Sequence, residues 1–378
     1  LKAKKILAVF GTRPEAIKLA PLIKKIRDCP GFRVRVCSTG QHKQMLDQVL
    51  KTFSIVPDYT LNIMRRSQGL FDITSEALLG LKKVIMKESP DILIIQGDTT
   101  TALIATLAAF YCKVKIAHIE AGLRTGDKYN PFPEEMNRRL ISAISDLHFA
   151  PTEAARENLV REGVERSKIF VTGNTVVDAL NFIRQKWEKG DTRNIKKIIS
   201  YLNSVAERGR KLLVVTCHRR ESFGAELKNI CRAIKTIALN FPEVVVVFPV
   251  HMNPNVRDTV YKLLRGVENI HLTEPLDYES FLWLLNKSYL IITDSGGVQE
   301  EAPSFKKPVL VIRKKTERLE GIRRGITWLT GTTAKQIFSR TSELLANRAS
   351  YEKMIRETNP YGDGKASDRI IRVLKNIK

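Results

Sequence analysis

Short apolar runs rich in Val, Ile and Leu recur along the chain, each closed by a polar or glycine-containing turn and followed by a stretch with helical spacing of its apolar positions. The first series is KKILAVF (4–10), FRVRVCS (32–38), DILIIQGD (91–98), VKIAHIE (114–120) and KIFVTG (168–173). The rhythm restarts with KLLVVTCH (211–218), EVVVVFPVH (243–251), YLIITDSGG (289–297) and PVLVIR (308–313). Continuous apolar strands alternating with helices predict parallel sheets covered on both faces. Two such series predict two doubly wound, Rossmann-like α/β domains, residues 1–173 and 174–364, followed by a last helix within 365–378, with a ligand cleft between the domains. The intervening RQKWEKGDTRNIKKIIS (184–200) lacks a strand pattern and predicts an exposed helix and loop just beyond the hinge. In sheets of this kind ligands bind outside the carboxyl ends of the strands, so residues at those ends are the candidates for chemistry.

Composition narrows this picture little. A length of 378 residues suits two cores, and 43% hydrophobic with 27% charged residues is ordinary for a soluble globular protein. The net charge of +23 favours anionic partners without choosing among nucleic acid, a membrane surface and a phosphorylated small molecule. Nucleic-acid-binding patterns are missing and aromatic residues make up only 7%, which argues against nucleic acid as the partner. Cys29, Cys37, Cys112, Cys217 and Cys231 show no C-x-x-C spacing, which predicts a reduced cytoplasmic protein without structural zinc. His42, His118, His148 and His271 show no metal-ligand spacing either, so no metal site is expected. The chain starts directly on a strand pattern, and its longest apolar run, VVVVFPV (244–250), is too short to span a membrane.

Candidate chemistry gathers at the strand ends. In DSGGVQEEAPSFKKPVLVIRKKTERLEG (294–321), Ser295 can cap a helix whose first amides Gly296 and Gly297 leave open to a phosphate. Glu301 lies far enough along to accept from a ribose diol, and Arg318 can return to a diphosphate. The plainer alternative is a strand–turn–helix corner whose glycines serve packing. In FGTRPEAIKLAPLI (10–23), Thr12 and Glu15 have capping-box spacing, Pro14 suits a first helical turn, and Arg13 and Lys18 flank the helix start as anion ligands or as solvated charges.

Asp98 and Glu120 each close an apolar strand at the ligand-binding edge, where partial desolvation suits a carboxyl group to acid–base work. Glu134 and Glu135 follow Pro133 in a first helical turn, a place where acids also simply complement the helix dipole. His218 and His251 end two strands of the second series. Dinucleotide, P-loop and serine-hydrolase signatures are all missing, which removes the usual sequence support for nicotinamide, NTP-hydrolysing and esterase chemistry. YGDGKAS (361–367) reads as a loop before the last helix.

With these residues in hand, the chain resembles the non-hydrolysing UDP-N-acetylglucosamine 2-epimerases. The blocks that carry the resemblance are GTRPEAIKLAPL, QHKQMLDQVL, GDTTTALIATLAAF, HIEAGLRTGDKYNPFPEEMNRR, VTGNTVVDAL, VTCHRRESFG, PVHMNPNVR, TDSGGVQEEAPS, KPVLVIR and YGDGKAS, in order over nearly the whole chain. The resemblance implies a GT-B-like fold, a last helix that crosses back to the first domain, a cytoplasmic homodimer and no cofactor. It implies interconversion of UDP-N-acetylglucosamine and UDP-N-acetylmannosamine, by expulsion of UDP to a bound 2-acetamidoglucal and its re-addition.

By the same resemblance Asp98, Glu120 and Glu134 form the acid–base set and His218 assists near the diphosphate. Arg13, Lys18, Ser295, Gly296, Gly297, Glu301 and Arg318 contact the nucleotide, Phe281 stacks near uracil, and Gln41 and Gln44 belong to a possible second, activating site. Departures are TCHRRESFG for the commoner TAHRREN.G, RKKTERLEG for RDTTERPE, and Leu276 where some members have glutamine. The rival readings are a hydrolysing epimerase, a GT-B glycosyltransferase using a UDP-sugar, and a non-catalytic nucleotide-sugar sensor.

Overall fold

The computed structural model describes residues 3–40, 43–65, 68–205 and 209–377. The chain divides into two compact units, Leu1–Phe182 with Tyr361–Lys378, and Ile183–Pro360. The first boundary falls inside the helix Thr175–Glu188 instead of at Gly173, and the second falls before the YGDGKAS loop instead of within it, after Gly364. A helix that runs unbroken through a boundary leaves no break in composition for a sequence reading to find.

The first unit holds β1 (Lys4–Phe10), β2 (Phe32–Ser38), β3 (Tyr59–Thr60), β4 (Ile92–Gln96), β5 (Lys115–Ile119), β6 (Leu147–Ala150) and β7 (Ile169–Val171). They form one seven-stranded sheet in the order β3-β2-β1-β4-β5-β6-β7, with every described pairing parallel. All five residues of β4 are buried, the burial expected of a strand covered on both faces. Leu7, Val9, Leu93 and Ile95 pack with Leu81 and Ala105 from the covering helices.

The last helix, Ala366–Asn376, is tied into this unit at both ends. Asp178 accepts from the amides of Ala366 (3.2 Å) and Ser367 (2.8 Å) at its start. Lys4 Nζ donates to the carbonyls of Leu374 and Lys375 at its end, where a cation complements the helix dipole.

The second unit holds β8 (Lys211–Thr216), β9 (Val244–Pro249), β10 (Ile270–Thr273), β11 (Leu290–Thr293), β12 (Val309–Val311) and β13 (Thr327–Leu329), in the order β10-β9-β8-β11-β12-β13 and again parallel. Its core joins Leu213, Val215, Val246, Phe248, Ile292 and Leu310 to Ile230 and Ile234. The basic stretch 184–200 differs from the exposed helix and loop expected of it. Lys186 Nζ (3.1 Å), Trp187 Nε1 (3.2 Å) and Asn194 Nδ2 (3.1 Å) converge on the carboxylate of Glu279, and Ile195 and Ile198 are buried. A fully buried carboxylate needs such donors, and the apolar positions between the basic ones give the stretch an inner face.

Candidate active site

Each sheet reverses its strand order once, between β1 and β4 in the first unit and between β8 and β11 in the second, and the crevice at such a reversal is where doubly wound sheets bind ligands. A buried carboxylate ties the two loops together at both places. Glu15 Oε2 accepts from the amides of Gly11 (3.0 Å) and Thr12 (2.7 Å) and from Thr12 Oγ1 (2.7 Å), while Oε1 accepts from Thr99 Oγ1 (2.7 Å). The Thr12/Glu15 capping box is therefore present, and it reaches beyond its own helix to the loop after β4. Burial pushes the Glu15 carboxyl up from its ordinary range, and these hydrogen bonds oppose the shift. Gly11 has no room for a side chain, since a Cβ there would stand 2.3 Å from Thr39 Oγ1 and 2.4 Å from Thr101 Oγ1.

The carboxylates of the first unit lie just beyond this crevice. Glu120 follows β5 with a left-handed φ of 65° and is only 7% exposed. Its Oε2 is 2.5 Å from Lys18 Nζ and 2.5 Å from Gln96 Nε2. Lys18 is thus neither a solvated charge nor displayed on the helix surface; it is buried against an acid. Asp98, after β4, is held by Arg138, whose Nε (2.8 Å) and second terminal nitrogen (2.7 Å) both reach Oδ2. Asn137 Nδ2 donates to the Asp98 carbonyl at 2.8 Å.

Glu134 and Glu135, alike in sequence, part company in space. Glu135 is fully buried and accepts from the amides of Thr125 (3.0 Å) and Gly126 (3.2 Å) and from Arg138 (3.0 Å), which makes it the brace of the preceding loop. Glu134 is left partly exposed at the start of the helix Glu134–Ile144, one turn before the arginine that holds Asp98. Arg13 is the first residue of the helix Arg13–Arg27, beside the Glu15 brace.

In the second unit Asp294 plays the bridging part. Fully buried at the end of β11, it accepts at Oδ2 from the amides of His218 (2.9 Å) and Arg219 (2.9 Å) and from Ser222 Oγ (3.1 Å), all in the loop after β8. His218 Nδ1 stands 3.2 Å from Asp294 Oδ1, with 42% of the side chain exposed. Crowding by protein pulls the His218 imidazole below its ordinary range, and Asp294 pulls the other way. Its ring stacks with His251 at 6.0 Å between centroids, which brings the two strand-end histidines together.

Ser295 caps the helix Gly296–Glu301 as expected, accepting from the Val298 amide. A Cβ on Gly296 would lie 2.8 Å from Arg318 Cζ, so the glycine is there for a packed guanidinium. Arg318 pairs with Glu300 at 2.8 Å and with Glu317, and Glu317 also holds Arg313 (3.0 Å) and lies 3.6 Å from Arg219. Three arginines therefore share one buried acid. Glu301 Oε1 accepts from Tyr278 Oη at 3.0 Å, and Phe281, partly exposed, lies one turn along the helix Tyr278–Lys287.

Gln41 lies outside the described residues. Gln44 belongs to the helix Lys43–Thr52, with its side chain outside them. Gln96, Arg138, Asp294, Arg313 and Glu317 went unmarked in the sequence. Only Arg138 carried a signal, its i, i+4 spacing from Glu134.

A family model described as UDP-N-acetylglucosamine 2-epimerase matches residues 24–375. A UDP-N-acetylglucosamine 2-epimerase of Campylobacter jejuni is 50% identical over 98% of this chain and 97% of its own length. The crystal structure of UDP-GlcNAc 2-epimerase from Neisseria meningitidis bound to UDP-GlcNAc superposes with a TM-score of 0.94 at 45% identity, covering 99% of this chain and 100% of that one. A co-structure of S. aureus MnaA with UDP gives 0.91 at 44% identity, covering 98% and 96%.

Proposed function

This chain belongs to the UDP-N-acetylglucosamine 2-epimerase family and is an isomerase of that nucleotide sugar, and we propose that it inverts carbon 2 by expelling UDP and adding it back. The proton on carbon 2 has no neighbouring carbonyl and is scarcely acidic. Removing it as the diphosphate departs gives a 2-acetamidoglucal, and returning a proton to the opposite face before UDP re-adds completes the inversion. Atoms balance, and no oxidant is consumed. The first unit is then the acid–base domain, with Asp98, Glu120 and Glu134 exchanging the proton, and the second is the UDP-binding domain.

The observation that carries this reading is the setting of Glu120, gripped by Lys18 and Gln96 beyond β5, with Asp98 gripped by Arg138 beyond the adjacent strand β4. Side chains locked in this way are pre-organised for proton transfer. In the second unit, Ser295, Gly296, Gly297 and Arg318 would take the diphosphate, with His218 beside it, Glu301 on the ribose and Phe281 at the uracil. In the first unit Arg13, at the start of its helix, is the candidate ligand for an anionic group, and Lys18 would act only from its place against Glu120.

The test is to incubate purified protein with UDP-N-acetylglucosamine in deuterated water. The expected outcome is UDP-N-acetylmannosamine carrying deuterium at carbon 2. Free N-acetylmannosamine in step with UDP would mark a hydrolysing enzyme, and no turnover until an acceptor is added would mark a glycosyltransferase.

Dimerisation belongs to the same proposal. Phe71, Leu79 and Met86, exposed by 91%, 63% and 64%, share one side of the helix Leu70–Glu88, and Phe110 and Tyr111 are exposed at the end of the helix packed beside it. Such a stripe marks an interaction surface, and we assign it to a second copy of the chain. A reducing, cytoplasmic setting fits the five free cysteines.

A further inference from the structure

His118 lies in β5 with 1% exposure, and its Nε2 is 2.8 Å from the carbonyl oxygen of Gly97. A carbonyl only accepts, so Nε2 carries the proton. Burial lowers the imidazole to about 3, which leaves this neutral, singly protonated ring in place across the working range of pH. The Gly97 amide meanwhile donates to the Ile119 carbonyl at 2.9 Å. Both polar groups of Gly97 are thus held by β5, on either side of one residue.

Gly97 is the turn that hands the chain from β4 to Asp98. Its φ of 74° lies in the left-handed region, and a Cβ there would meet nothing within 4 Å, so glycine is needed for the backbone conformation and not for space. Two residues beyond His118 stands Glu120, itself left-handed at 65°. One strand therefore carries one acid in its own chain and grips the turn that aims the other. Neither contact was visible in the sequence, where His118 counted only as a histidine without metal-ligand spacing.

We propose that His118 is a positioning residue for the reaction: by donating from Nε2 to the Gly97 carbonyl, it fixes the turn that carries Asp98 beside the strand that leads to Glu120. The inference rests on the acid–base reading above. His118 touches no reacting atom in it; the ring acts through the backbone. A displacement of about 1 Å in a reacting group costs about 10²-fold in rate, so a slackened turn is felt in kcat before it is felt in binding.

Asparagine and glutamine provide the test. The Gln amide nitrogen is as many bonds from Cα as His Nε2, whereas the Asn nitrogen is one bond short; both are polar donors of similar burial cost. For His118→Asn we expect a fall in kcat of about 10²-fold, with KM and the UDP dissociation constant held within about threefold. His118→Gln should recover at least about tenfold of that loss. Rates and UDP affinities are measured together with thermal melts. Equal kcat values for the two variants, or losses in UDP affinity that match the losses in kcat, overturn the inference. So does failure of both variants to fold, which would make His118 a folding residue. Wild-type protein that places no deuterium at carbon 2 overturns the reaction itself, and this inference with it. An active wild type with indistinguishable variants overturns the inference alone.

Discussion

Lys18 Nζ and Glu120 Oε2, 102 residues apart in the chain, meet at 2.5 Å with the two side chains only 9% and 4% exposed. A carboxylate so gripped is held in one orientation, which is what proton transfer asks of it. Replacing Glu120 by Gln keeps the volume and loses the ability to exchange a proton, so kcat should fall by about 10²–10⁴-fold. UDP affinity should stay within about threefold, since the acid serves the sugar and not the diphosphate. Lys18→Met strands the acid instead, and breaking a buried pair from one side should cost about 3–5 kcal/mol in urea unfolding. A Glu120→Gln enzyme with unchanged turnover would remove this residue from the reaction.

Arg138 makes a second claim on the acids. Two of its nitrogens meet one oxygen of Asp98, and a third meets Glu135, so its planar fork ties the turn after β4 to the loop before the helix Glu134–Ile144. Lysine keeps the charge and loses the fork. Arg138→Lys should therefore lower kcat by at least about tenfold, with a smaller change in KM, as a mispositioned acid would. A variant whose KM rises while kcat stands still would place Arg138 in substrate binding instead.

These two arginine and lysine contacts mark the limit of what the chain discloses as a string. Runs such as ILII and VVVV declare buried parallel strands because a strand covered on both faces has no polar side to show, and the doubly wound class follows from their alternation with helices. Thr12 and Glu15 declare a helix start for the same kind of local reason. Lys18 and Arg138 find their acids across 102 and 40 residues, and only the strand order that puts β1 beside β4 and β4 beside β5 brings them there. Glu134 and Glu135 are indistinguishable in sequence, yet the turn of the helix buries one and leaves the other at the edge. The division of the chain at Phe182 was hidden because helix continues through it.

Gly296 and Gly297 look interchangeable and should behave differently. Alanine at Gly296 would thrust its methyl against the Arg318 guanidinium, which is buried and held by Glu300 and Glu317, and so cannot swing away freely. Alanine at Gly297 meets only Ser295 Oγ at 3.9 Å. Gly297→Ala should leave the fold intact or stabilise it by about 0.4–1 kcal/mol, as glycine replacement at a compatible helical position does. Gly296→Ala should weaken UDP binding by at least about tenfold, the loss expected when one charge-assisted hydrogen bond is displaced. Calorimetric titration of both variants with UDP decides the point: equal affinities would show that the Arg318 contact does not shape the site.

Two neighbouring histidines give a dependence on pH. His118 and His148 are in register on adjacent strands and both buried, and burial lowers them to about 3 and about 4. In the unfolded chain each takes up a proton as pH falls through its ordinary value near 6.5, while the folded protein stays neutral at both. Stability is therefore fullest above pH 6.5 and declines as pH drops toward the folded values, by about 1.4 kcal/mol per pH unit for each ring. Urea midpoints between pH 7.5 and 5.5 should fall accordingly, and His148→Gln should flatten the slope by one proton. Imidazole NMR signals of the two residues should remain at their neutral positions through this interval. Titration of either ring near pH 6 would refute the burial argument.

The exposed stripe on the helix Leu70–Glu88 makes the oligomeric state testable residue by residue. Phe71 is 91% exposed and Leu79 and Met86 more than half exposed, whereas Ile73, Ala77, Leu81, Val84 and Ile85 of the same helix are buried. The helix thus has two apolar sides, and only the inner one is explained by the fold of its own unit. If a second copy covers the outer side, Phe71→Glu and Leu79→Glu each place a carboxylate in the centre of the contact, where an unpaired charge costs several kcal/mol, about 10²-fold or more in the dimer dissociation constant. Sedimentation equilibrium at micromolar concentration should then show a dimer for the native chain and a monomer for the double variant. The melting temperature of the variant at high dilution should match that of the native chain, because both side chains face away from the core. A native monomer, or a dimer indifferent to both charges, would leave the stripe to some other partner.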